Sequence, residues 1–224
     1  HSPAKPQGRA VKHWLADVEL PASTSTCRPT VALSMDSEPQ DVPSPIDLQS
    51  AEDALAWAQS ANLARPWRTT FFEAMAAAID SSRPTRVLEL GSGPGFLAEH
   101  VLRRCPAVKM VLLDFSEPMH ALARQRLLNH ADRIDCVLRS FKDESWTEGM
   151  GAFDFVITNQ AVHELRHKRY AEPLHRQVKS VLVSGGRYLV SDHFFGEGGM
   201  KKEGLYMTVE EQRHTLAAAG FTHV

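Results

Sequence analysis

Five apolar runs of strand length, separated by stretches with helical spacing, constrain the fold of this chain more than any other feature. The runs are Val87-Leu-Glu-Leu, Met110-Val-Leu-Leu, Ile134-Asp-Cys-Val-Leu, Phe153-Asp-Phe-Val-Ile and Arg187-Tyr-Leu-Val. Between them, helices are expected at about 95–105, 117–130 and 163–183. The last of these carries Leu174, Val178, Val181 and Leu182 at helical spacing, and Gly185-Gly186 is read as its stop. Strands that are apolar on both sides need cover on both faces, and the rhythm of strand and helix supplies it. The expected architecture is α/β: a doubly wound, mostly parallel sheet with helices on each face. Ligands of such sheets bind at the carboxyl ends of the strands.

The first part of the chain is different. Seven of the 13 prolines fall within residues 1–49, beside Ser/Thr-rich sequence, which cannot propagate a helix. Residues 1–49 are therefore read as a partly disordered leader. Two stretches in it have strand character: Trp14, Ala16, Val18 and Leu20 alternate, and Thr30-Val-Ala-Leu-Ser follows. From Ser50, paired with Asp53 as a capping box, a helix runs towards Pro66. A second, with Trp67, Phe71, Met75 and Ile79 along one face, ends at Arg83-Pro84. These make a helical cap, 50–80, on a core of 85–224 within one domain, 50–224.

Composition narrows the function classes. With 25 basic and 27 acidic residues the net charge is −2, so no global positive field draws the chain to nucleic acid. No apolar run reaches the roughly 18 residues of a membrane span. Three cysteines without a CxxC fit a reducing, cytoplasmic setting.

The turn after the first core strand reads Glu89-Leu-Gly91-Ser92-Gly93-Pro-Gly95-Phe96 and then opens a helix. Glycines there let backbone approach a ligand closely at a helix N-terminus. A dinucleotide loop would need glycine where Phe96 stands, and a P-loop would need Gly-Lys-Ser/Thr, which is absent. The second strand ends in Asp114, 23 residues past Gly91, where a carboxylate can accept both hydroxyls of a ribose. Ser116 then caps a helix through Glu117-Pro118.

Loop, acid and five strands in order resemble the class I, Rossmann-like S-adenosylmethionine-dependent methyltransferases. The resemblance runs from about Ser50 to the C-terminus. It implies S-adenosylmethionine as cofactor and S-adenosylhomocysteine as product. It implies that Gly91, Ser92, Gly93, Gly95 and Phe96 form the loop against the methionine part, with Glu89 organising it or binding the amino group. Asp114 would hold the ribose; Phe115, Ser116 and Met119 would lie by the adenine side; Ser140 and Phe141 would read the adenine edge. Asn159 and Gln160 would face the sulfonium end, and Arg65 or Arg68 could pair with the cofactor carboxylate. In this family an antiparallel hairpin usually follows; here the chain stops at Phe221-Thr-His-Val, so the hairpin is apparently missing and the fifth strand is expected to leave an edge. One of the leader stretches could fill it, within the chain or in a dimer.

The acceptor is less legible. The fourth strand ends in Asn159-Gln-Ala-Val, unlike the Asn-Pro-Pro-Tyr loop of adenine and glutamine N-methyltransferases, and no Pro-Cys nucleophile is present. Next comes Val162-His163-Glu164, whose position resembles the His-Asp/Glu pair of plant-type small-molecule O-methyltransferases. His163 is accordingly the expected catalytic base, with His193 an alternative. A small-molecule acceptor, methylated on oxygen, is the favoured function. The alternatives are methylation of a protein or RNA, and a non-catalytic domain that binds a partner. His163-Glu-Leu-Arg-His167 also spells H-E-x-x-H, a zinc-protease pattern, but Arg187 stands where a third ligand is expected. No metal site is assigned. After the fifth strand, the glycine-rich 192–204 segment is read as either a lid on the acceptor pocket or an ordinary loop.

Overall fold

The computed structural model describes residues 13–19, as backbone, and 40–224. Strands β2 (Arg86–Leu90), β3 (Lys109–Asp114), β4 (Ile134–Leu138), β5 (Phe153–Asn159) and β6 (Leu182–His193) are parallel, in the order β6-β5-β2-β3-β4. Strand order reverses at β2, which has β3 on one side and β5 on the other.

Alternate residues of these strands feed two cores, one on each face. On one face Val87, Met110, Leu112, Phe155 and Ile157 pack with α2 (Arg68–Ser82), α3 (Phe96–Arg104) and Ala123 of α4 (Glu117–Arg126). On the other, Leu88, Leu90, Val111, Leu113 and Val156 pack with α5 (Ala171–Ser180) and α6 (Val209–Ala218). Each fully buried leucine or phenylalanine contributes roughly 1.5–3 kcal/mol, which is why both faces need their helices.

The cap helices are α1 (Ala51–Ala64) and α2. Ser50 accepts the Asp53 amide (3.3 Å), but the Asp53 carboxylate reaches Asp47 N instead of closing the box. In α2 the buried stripe is Phe72, Met75, Ala76 and Ile79, one step round from the expected face. Trp67 and Phe71 lie edge to face beside it, centroids 6.0 Å apart.

Three local expectations are corrected. The helix expected over 163–183 is two short 3-10 turns, Val162–Leu165 and Lys168–Tyr170, followed by α5. Tertiary bonds override the helical spacing: Asp192 takes the His163 amide, the Gly204 carbonyl takes the Lys168 amide, and Arg166 turns left-handed (φ 69°) with its guanidinium on the Val42 and Pro43 carbonyls. Gly185-Gly186 does not stop that helix; it lies inside β6, where the pairing with β5 shifts register. A Cβ on Gly186 would sit 2.9 Å from the Val183 carbonyl oxygen. Finally, α4 ends at Arg126, and 128–133 is a 3-10 segment.

β1 (His13–Glu19) pairs antiparallel with β6, Trp14 opposite Asp192 and Val18 opposite Tyr188, and so covers the edge expected to be open. The Thr30–Ser34 stretch lies outside the described residues. Residues 221–224 belong to none of the six strands; Phe221 packs on Tyr188 at 5.6 Å instead.

His175 on α5 is fully buried, with its Nε2 3.1 Å from the Gln212 amide nitrogen, and burial depresses its pKa to about 3. Unfolding frees it to take a proton. The stability it contributes is therefore present above its ordinary pKa of 6.5 and lost as pH falls towards 3. In urea titrations between pH about 7 and 4, a His175→Gln variant loses stability less steeply than the parent protein; equal slopes would contradict this account.

Candidate active site

The sheet reversal opens a cleft at the carboxyl ends of β2 and β5. It encloses about 850 Å³ of open space, its mouth included, the size of a small-ligand site. Its floor is the close approach of two loops. Gly91, at φ 65°, would put a Cβ only 2.4 Å from Ala161 Cβ, so no side chain fits there. The Gly91 and Ser92 amides donate to the Leu113 carbonyl (2.8 and 3.2 Å). The Gly93 amide donates to Asp114 Oδ2 (2.8 Å), and Ser116 N to Asp114 Oδ1 (3.0 Å). One carboxylate thus fixes the glycine loop, the end of β3 and the start of α4.

Most residues singled out from sequence line this cleft. Glu89, Gly91, Ser92, Gly93 and Phe96 come from the first loop; Asp114, Phe115, Met119 and Phe141 from the next two; Asn159, Gln160, His163 and His193 from β5, β6 and the turn after β5. Arg65, Arg68 and Trp57 descend from the cap. Three of the singled-out residues stand elsewhere. Gly95 caps α3 and packs on α4, where a Cβ would meet Leu127 at 3.1 Å. Ser116 is fully buried, accepts the Met119 amide and donates to the Leu48 carbonyl. Ser140 lines a neighbouring cleft under residues 44–48. Leu48, Phe72, Leu97, Ala161 and Glu164 line the main cleft without having been foreseen as site residues.

One end of the cleft is rich in buried polar atoms without partners: Arg68 Nε, Glu89 Oε2, both side-chain atoms of Asn159, and Gln160 Nε2. Buried polar groups are nearly always paired, so such a cluster calls for a ligand. Gln160 is also held left-handed (φ 57°), its amide on the Ser191 carbonyl (2.7 Å). Burial, then Asp114, raises Glu89 well above the carboxylate range, with Arg68 opposing. Burial raises Asp114 against its backbone hydrogen bonds, and burial lowers Arg68 to about 10. The Arg68 guanidinium lies 5.2–5.6 Å from the rings of Trp57, Phe72 and Phe96. The other end is apolar: Leu48, Phe115, Met119 and Phe141.

His163 stands at the cleft wall between two carboxylates. Its Nδ1 is 2.6 Å from Asp192 Oδ1, its Nε2 is 3.3 Å from Glu164 Oε1, and its amide donates to Asp192 Oδ2 (2.8 Å). Arg166 pairs with Glu164 in turn (3.0 Å). Burial opposes a charge on His163, but Asp192 and then Glu164 outweigh it and lift its pKa to about 10. Tyr206 and His193 pack against the imidazole, at 5.5 and 5.3 Å. The zinc pattern dissolves in this geometry. His167 follows the left-handed Arg166 and accepts the Arg169 amide (3.1 Å), and no metal-binding cluster exists among the described residues.

Comparison with known proteins agrees with the fold. Residues 87–186 match the family model of a methyltransferase domain, and the chain carries that domain. A malonyl-[acyl-carrier protein] O-methyltransferase of Legionella pneumophila is 34% identical over 80 residues, 36% of this chain and 27% of that protein. A trans-aconitate 2-methyltransferase of Mycobacterium tuberculosis is 33% identical over 93 residues, 42% of this chain and 32% of that protein. The matches thus span about a third of these relatives' length or less. Human N-acetylserotonin methyltransferase, solved with S-adenosylmethionine, superposes with TM-score 0.61 at 20% identity, over 78% of this chain and 52% of that one, which shows a common Rossmann-like fold.

The charge on His163 stabilises the fold fully below its ordinary pKa of 6.5, and that contribution is lost as pH rises through about 10. In a histidine NMR titration its ring keeps its proton through neutrality. In Asp192→Asn the titration falls by roughly two units or more; an unchanged titration would contradict the pairing.

Proposed function

We propose that this methyltransferase domain binds S-adenosylmethionine in the cleft between β2 and β5 and transfers the methyl group to an oxygen of a small molecule. The observation that carries the reading is the cluster of unpaired buried polar atoms on Arg68, Glu89, Asn159 and Gln160. They offer a cation for a carboxylate beside acceptors for an ammonium, which suits the amino-acid end of this cofactor. Asp114 retains lone pairs for ribose hydroxyls after accepting the Gly93 and Ser116 amides. Leu48, Phe115, Met119 and Phe141 suit the adenine. Of the two arginines, Arg68 fits the carboxylate better, because its charge is felt at Glu89.

When bound, S-adenosylmethionine supplies an electrophilic methyl group on a sulfonium, so alignment of the acceptor is most of what the protein must add. His163 is the side chain that would meet the acceptor. In the ligand-free protein both its ring nitrogens face carboxylates and it holds its proton at neutral pH. There it is a charged hydrogen-bond donor. It becomes the base expected from sequence only by leaving Glu164 and giving up that proton.

The near-neutral charge favours a small acceptor over nucleic acid. No helix among the described residues is long and apolar enough to cross a membrane. Cys105 and Cys136 are free thiols, in keeping with a reducing cytoplasm.

Calorimetric titration tests the cofactor site directly. The protein binds S-adenosylmethionine at micromolar concentration. Asp114→Ala and Gly91→Ala each weaken binding by about tenfold or more, about 1.4 kcal/mol. Absence of binding below about 1 mM would refute the reading.

A further inference from the structure

S-adenosylmethionine carries one carboxylate, but two arginines line the cleft. Arg68 lies deep, 6% exposed, among the rings of Trp57, Phe72 and Phe96, and its charge reaches Glu89. Arg65 is separate from it. It ends α1, ahead of Pro66, and faces the wall made by Tyr206, whose hydroxyl feels its charge. Tyr206 packs on His163 and His193, so Arg65 belongs to the acceptor end.

The charges at that end do not cancel. Asp192 is paired with His163, and Glu164 with His163 and Arg166. Two carboxylates thus face two cations. Arg65 is the surplus: among the described residues its side chain makes no hydrogen bond or ion pair. A neutral hydroxyl acceptor gains nothing from an extra cation, whereas an anionic acceptor does.

We infer that the acceptor is a small carboxylic acid whose carboxylate is bound by Arg65 and receives the methyl group. The inference rests on the methyltransferase reading above. A carboxylate oxygen uses a lone pair to form the O–CH3 bond while the C–S bond breaks and its electrons return to sulfur. The products are a methyl ester and S-adenosylhomocysteine. The negative charge of the acid and the positive charge of the sulfonium vanish together, and no proton is moved. This agrees with a His163 whose two nitrogens are already engaged: an acid ionised at neutral pH needs no base.

Two readouts test it on the whole chain. The first is equilibrium binding to the protein saturated with S-adenosylhomocysteine, which cannot react. Cinnamate and trans-aconitate are compared with the corresponding amides. The acids are expected to bind at least about tenfold more tightly than the amides, and Arg65→Gln to remove that preference while Arg65→Lys keeps most of it. The second is the chemistry of the product. Tritium from labelled S-adenosylmethionine should enter an acid and be released by mild alkali as volatile methanol, as an ester requires; an ether formed on cinnamyl alcohol would resist. Equal binding of acids and amides, no binding of either acid at about 10 mM, or alkali-stable label would overturn the inference. So would a tenfold loss of S-adenosylmethionine affinity in Arg65→Gln, which would put this arginine on the cofactor. Those results with cofactor binding intact leave the methyltransferase reading standing; loss of cofactor binding in the parent protein defeats both.

Discussion

Because β3 and β5 lie on opposite sides of β2, the chain segments leaving β2 and β5 must pass into different layers, and a crevice opens where they part. Everything proposed for this protein is built on that reversal. It brings Gly91 against Ala161 so closely that only hydrogen fits between the two loops. It also directs the ends of β2, β3 and β5, with Glu89, Asp114 and Asn159, into a common space. Asp114 then locks the geometry by holding the amides of Gly93 and Ser116 at once. The two cores on either face of the sheet keep these strand ends in place.

Inside the cleft the protein keeps ionisable groups in surroundings that disfavour their charges. Burial raises Glu89 and Asp114 and lowers Arg68. A ligand that carries both an ammonium and a carboxylate relieves both tendencies together, which is how a site can be costly when open and favourable when filled. The His163 wall follows the opposite logic. There Asp192 and Glu164 already satisfy the imidazolium, and Arg166 satisfies Glu164, so the wall is electrically complete before any ligand arrives. The first region suits tight recognition of a zwitterion; the second is a preorganised surface for the acceptor.

The sheet was legible in the sequence because strands buried on both faces are written as continuous apolar runs, and β2, β3, β4 and β5 begin within about two residues of those runs. Loop residues such as Gly91 and Asp114 were legible for a related reason: close approach and ribose binding demand particular residue types at fixed offsets. Other features depended on contacts between distant segments. Asp192 stands 29 residues after His163, and nothing local marks it as that histidine's partner. Helical spacing over 163–183 misled because Asp192, Gly204 and the Val42–Pro43 carbonyls claim the groups a helix would have used. Gly95 matched the loop pattern, yet its role is packing on α4. Pattern specifies which residue type is needed, and the fold decides which neighbour needs it.

The central claim is that this crevice is the cofactor site, with its polar end for the amino acid and its apolar end for adenine. A crystal structure with S-adenosylhomocysteine measures it most directly. The account predicts the ribose hydroxyls on Asp114, the amino-acid group among Glu89, Arg68 and Asn159, and adenine against Phe115 and Phe141. A ligand bound in the reverse orientation, or outside the crevice between β2 and β5, would contradict it.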